Sequence, residues 1–136
     1  MSKSAALYGT GIVLAHLLVN IAHGAAHVEL HIDLDFSDKL FIGTVIFLCP
    51  LLAMLLLWTK QLKVGLTLLG ISMTAGLLFG LEKHLVAMGP DHIGRQGQGM
   101  WAMLFAVTVW LLVLTQVAAI LIALYFLFRE ADSSLG

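Results

Sequence analysis

Four stretches of this chain, 5–32, 40–59, 64–88 and 100–128, run for about 20 residues or more with few charges, and nothing else constrains the fold as strongly. A helix needs about 20 apolar residues to cross a hydrocarbon core roughly 30 Å thick. Hydrocarbon offers the backbone no hydrogen bonds, so spanning segments are helices or closed barrels. The four runs are continuously apolar and do not alternate, which excludes a barrel. The expected fold is all-α: an integral membrane four-helix transmembrane bundle, in one domain covering residues 1–136.

Composition agrees. Apolar residues make up 60% of the chain and charged residues 11%, against about 45–50% and 25% in soluble domains. Mean hydropathy is +1.00. The net charge of −1 leaves no basic field to hold nucleic acid. Cys49 is the only cysteine, so no intrachain disulfide can form.

Polar punctuation separates the runs. Asp33, Asp35, Ser37 and Asp38 divide the first from the second, and Lys60, Gln61 and Lys63 the second from the third. The longest break is the glycine-rich segment Gly89–Gly99, read as either a lid or a plain connector, with Asp91 and His92 to decide between them. Trp58 and Trp101 stand at run ends, where indoles favour the headgroup boundary. The apolar core of the first run ends near Ala22. A cleaved signal peptide is the alternative for this run, with Ala22–Ala26 offering small residues for cleavage. Its long apolar region and single basic residue, Lys3, favour a retained span.

An even number of spans places both termini on one side. That side holds Lys3, Lys60, Lys63 and Arg129, and the other holds Lys39, Lys83 and Arg95. The balance of four to three favours cytoplasmic termini, with the protein expected in the plasma (inner) membrane and the lipid bilayer as its first partner.

Histidine placement carries the functional signal. His16, His23, His27 and His31 all fall on the first run. At 100° per residue they lie within about 80° of arc, and Asn20 shares it. This polar stripe cannot face lipid without cost, so it must turn towards the other helices. His23/His27 and His27/His31 are i,i+4 pairs, a spacing that suits two ligands on one metal ion. His84, near the end of the third run, comes to a similar depth. Glu29, Glu82, Asp91 and His92 belong to the same membrane face. On the third run Gly70, Met73, Leu77 and Gly80 share the face of His84, and Gly76 and Gly80 form a small-residue pair.

Several readings follow. In the first, His23, His27 and His84 are imidazole ligands to a transition metal (Zn, Cu or Fe), with His31, His92 or an acid such as Asp91 as a fourth. In the second, a b-type haem takes one axial ligand from His23 or His27 and the other from His84, while Gly24 and Gly80 make room for the porphyrin. The third is proton or ion conduction through His16, Asn20 and His23. The fourth is a non-catalytic small subunit, joined to partner membrane subunits or to copies of itself. Chemistry at the site would be redox or metal-assisted hydrolysis, with Glu29 or Glu82 as proton carrier. Elsewhere, Cys49-Pro50 reads as a filler at a kink, and Met54, Met73 and Met103 as packing residues. Thr108, Thr115 and Gln116 read as interhelical hydrogen-bonding groups. On this reading the first and third helices carry the function, and the second and fourth are apolar scaffold.

Overall fold

The computed structural model describes residues 3–132. Four long helices and no strand are present among them. The helices are α1 (Lys3–Glu29), α2 (Phe36–Leu57), α3 (Leu62–Val86) and α4 (Met100–Asp132). Each is long and apolar enough to cross a membrane. Their ends lie within four residues of the ends of the apolar runs.

The chain runs up, down, up and down. At the end bearing the termini, Ala5, Ala6, Leu57, Leu62, Leu66 and Phe126 form one buried cluster, and Trp58 Nε1 donates to Thr10 Oγ1 at 2.9 Å. At the other end, here called the histidine end, Ala26, Phe105 and Val109 form another. Large apolar side chains such as Leu18, Ile21, Ile71, Leu78 and Leu114 point outward all round the bundle. In water this would be one continuous sticky surface; in lipid it is the solvent-facing side.

Burial does not drive association between helices surrounded by hydrocarbon, so close approach and polar links must do so. Gly65 lets α3 meet α2. A Cβ there would sit 3.0 Å from Leu57 N and 3.1 Å from Ala53 O, both backbone atoms that cannot step aside. Gly65→Ala is therefore expected to destabilise the bundle by about 1–3 kcal/mol, read as a lower midpoint in denaturant titration of the micelle-embedded protein. At the histidine end Lys83 Nζ pairs with Asp38 at 2.8 Å, and Phe41 stacks on Phe79 at 4.6 Å, joining α2 to α3.

Two helices widen locally. Pro50 has no N–H for the carbonyl one turn back, and its ring crowds that carbonyl. The turn before it, Ile42–Leu48, opens into a π-helix, and Cys49 N–H bonds Thr44 O instead. The kink expected at Cys49-Pro50 is thus a wide turn. In α3 a second π turn, Glu82–Val86, contains His84. Such turns recur at functional sites.

The main packing partner of α1 is α4, which also lies along α3. The part of α2 that α1 packs against is Cys49–Leu57; the earlier part turns to α3. At the histidine end a gap consequently opens between α1 and α2.

Candidate metal centre

Helix α1 ends earlier than the histidine stripe suggests. After Glu29 the chain closes in a Schellman turn: His31 N bonds Val28 O at 3.2 Å and Ile32 N bonds His27 O at 3.0 Å. The turn requires a left-handed residue, and His31 supplies it at φ 52°. Ile32 packs down on the Ala26–Phe105 cluster, while His31 is exposed and donates from Nδ1 to Glu29 O at 3.1 Å. Placing His31 in the ligand register is therefore corrected: the helix that would have aligned it has ended. Because a β-carbon is strained in this region, His31→Gly is expected to raise stability by about 1 kcal/mol. Bound metal should stay unchanged, as a paired thermal melt and metal assay would show.

His23, His27 and His84 come together. All three are buried, and each offers a nitrogen such that the three ligand atoms lie within 4.8 Å of one another. Ring centroids are 4.7 Å apart for His23–His27, 4.9 Å for His23–His84 and 6.0 Å for His27–His84. Phe105 of α4, fully buried, touches all three rings at 4.8, 5.3 and 5.4 Å and acts as their common floor.

The tautomers follow from the acceptors. The Thr108 hydroxyl donates to Leu104 O at 2.7 Å, so its oxygen accepts from His23 Nδ1–H at 2.9 Å. His84 Nδ1–H donates to Asp91 O at 3.0 Å. Both rings are thus fixed by Nδ1, which leaves their Nε2 lone pairs free for other partners. That is the arrangement metal-binding imidazoles show, with the far nitrogen donating to a fixed oxygen. His27 Nε2–H, in turn, donates to His23 Nε2 at 3.1 Å.

The Gly89–Gly99 segment is folded on itself. Arg95 Nη1 donates to Met88 O, and Gln96 Nε2 to Pro90 O and His92 O. It buries Asp91 against the histidines. Asp91 Oδ1 stands 3.1 Å from His27 Nε2 and 3.3 Å from His84 Nδ1, yet both N–H groups point elsewhere. Among the described residues, Asp91 Oδ1 and His27 Nδ1 are the side-chain polar atoms that have neither exposed surface nor a hydrogen-bond partner.

The remaining candidates lie apart. His92 Nδ1 accepts from Gly94 N–H at 3.0 Å, capping the short turn Ile93–Arg95. Glu29 and Glu82 are exposed and do not line the cavity beside the histidines. Gly24 and Gly80 both line it; a Cβ on Gly24 would meet nothing within 4 Å. His16, one turn below Asn20, has both nitrogens engaged. Its Nδ1–H donates to Thr115 Oγ1 at 3.2 Å, and its Nε2 accepts from Asn20 Nδ2 at 3.0 Å.

Helix α4 is not mere scaffold, which corrects the division of labour expected from the sequence. It supplies Phe105, Thr108, Thr115 and Gln116 to the buried interior. The signal was present: Thr108 and Thr115 are seven residues apart, two turns on one face. Nothing in the chain, however, announced that Phe105 would underlie the three rings.

A cavity of about 530 Å³ adjoins the cluster. Its walls come from all four helices, with Asn20, His23, His27, His84 and Asp91 among the polar lining and Ile46, Phe47, Phe79, Val109, Leu112 and Val113 among the apolar. No protein-family model, no curated protein and no solved structure matches this chain.

Proposed function

We propose that this membrane protein holds a divalent transition metal ion between His23, His27 and His84, with Asp91 as the fourth donor, for redox or metal-assisted chemistry. The observation that carries the reading is Asp91 Oδ1: a buried carboxylate oxygen, without a hydrogen bond, set beside imidazole nitrogens. A buried acceptor left unpaired is costly, and a cation would satisfy it. The spacing supports this. A tetrahedral centre with bonds of about 2.0–2.1 Å has edges of about 3.3–3.4 Å. His23 Nε2–His27 Nε2 and His27 Nε2–Asp91 Oδ1 both measure 3.1 Å. Imidazole and carboxylate donors without a thiolate suit Zn²⁺, Fe²⁺ or Cu²⁺. An ion held there would supply Lewis acidity, and it would reach a ligand in the cavity only by adding a position to the four protein donors or by releasing Asp91. The chain's own part is to fix the His23 and His84 tautomers through Thr108 and Asp91 O, while His27 would move its proton from Nε2 to Nδ1 to ligate.

A b-type haem fits less well. Bis-histidine ligation needs a porphyrin between the two rings, and His23 and His84 are in edge contact at 4.9 Å. A proton path is also the weaker reading, because both His16 nitrogens are engaged, by Thr115 and by Asn20. Elemental analysis and an absorption spectrum on one purified sample provide the test. The expected result is near-stoichiometric metal without the strong absorption band of haem. A chain without metal, whose melting point does not move with added Zn²⁺, Fe²⁺ or Cu²⁺, would refute the proposal. Where the site binds, ion at 100 times Kd is expected to stabilise the fold by about 2.7 kcal/mol.

A further inference from the structure

We infer that the cavity binds a neutral amphiphile taken from the bilayer, a long-chain molecule with a hydroxyl or carbonyl group held by Asn20 and Gln116. The inference deepens the metal reading and rests on it only for what lies at the cavity's other end. Gln116 is 4% exposed and Asn20 9%, and both line the cavity. Asn20 spends its Nδ2 hydrogens on His16 Nε2 and His16 O, each at 3.0 Å. Its Oδ1 has no partner among the described residues, and neither has either end of the Gln116 amide. Gln116 Nε2 lies over Gly76, 2.9 Å from where a Cβ would be. Any side chain there would push the amide away. Two amides in largely buried residues thus turn one unpaired donor group and two unpaired acceptors onto the cavity, where a ligand's polar group would meet them.

The rest of the cavity identifies that partner. Between the amides and the histidines the walls are apolar, with Ile46, Phe47, Leu112 and Val113 among them. Gln116 lies about 12 Å further along α4 than Thr108, the residue that holds His23. A volume of about 530 Å³ is in the range of small-molecule sites. Among the described residues, Lys39 is the one lysine or arginine lining it, and Asp33 and Asp91 offset it. An anionic group at the amide end would meet no cation, so the ligand's polar group is uncharged. Entry is lateral, because α1 and the first half of α2 do not pack closely.

Photolabelling of the full chain in nanodiscs tests this. Three C16 probes carry the same mid-chain diazirine: hexadecanol, hexadecane and hexadecanoate. Hexadecanol is expected to label the cavity walls at about five- to tenfold lower concentration than hexadecane, the worth of one or two hydrogen bonds. Gln116→Leu should erase that preference while keeping or raising thermal stability, since the lost amide had no partner to forfeit. Gly76→Ala, which displaces the amide without deleting it, should weaken the preference as well. Equal labelling by alcohol and alkane, a preference untouched by Gln116→Leu, or stronger labelling by hexadecanoate would each overturn the inference. Metal content is measured on the same samples. Alcohol preference without metal removes the metal centre and leaves this site standing; metal without alcohol preference does the reverse.

Discussion

His84→Ala is expected to reduce bound metal from about one ion per chain to trace, with affinity falling more than 100-fold. That figure is a floor, because loss of a residue that merely orients a ligand already costs 10–100-fold. Among the described residues, His84 is the only donor to the cluster from α3, so its loss leaves two histidines on one helix and the Asp91 carboxylate. Its Nδ1–H also ties down Asp91 O, so the variant loosens the segment that delivers the fourth donor. His92→Ala is the matched control. It alters the same end of the bundle but removes only a cap on the Ile93–Arg95 turn, and its metal content should match the parent chain. Isothermal titration on chelator-stripped protein separates the two. Full metal occupancy in His84→Ala would show that the three rings associate for reasons unrelated to an ion.

Thr108→Val is expected to weaken metal binding by about 10–100-fold while leaving the bundle folded. Valine keeps the shape of threonine and fits a helix facing lipid and neighbours. What it removes is the oxygen that accepts His23 Nδ1–H. Without that acceptor nothing fixes the His23 tautomer, and part of the population carries its proton on Nε2, the atom proposed to face the ion. The effect is therefore on the metal and not on the fold. Equal affinities in Thr108→Val and the parent chain would mean that His23 does not ligate through Nε2. Thr115→Val provides the comparison one step deeper. It removes the same kind of bond from His16, which stands outside the cluster, and should cost about 0.5–1.5 kcal/mol of stability with no change in metal.

The legible part of this protein was its spacing. Continuous apolar runs gave the four helices, because hydrocarbon permits no other backbone solution for such segments. The i,i+4 spacing of His23 and His27 gave one side of the candidate site, since helical geometry projects those positions onto one face. The same argument over-reached at His31. Periodicity predicts register only while the helix lasts, and the helix stops where His31 enters the left-handed region. No glycine marked that stop. His92 failed for a different reason: in a loop, sequence proximity to a site says nothing about which way a side chain points. Of the adjacent pair Asp91 and His92, the chain turns the first inward and uses the second on itself.

Sequence alone therefore determined the solvent, the number of spans and which helix carries a polar stripe, because each is a property of composition or helical period. Tertiary structure decided what that stripe meets. It set α4 between α1 and α3, so that Thr108 and Phe105 fix and floor the rings contributed by both. It widened α3 at Glu82–Val86, where His84 lies, and folded the Gly89–Gly99 segment so that Asp91 is buried beside two histidines. It left α1 and the start of α2 apart, which opens the cavity. These outcomes depend on which helices touch and how closely. Between helices in lipid, that is settled by small residues and a few hydrogen bonds whose partners lie up to 99 positions apart along the chain.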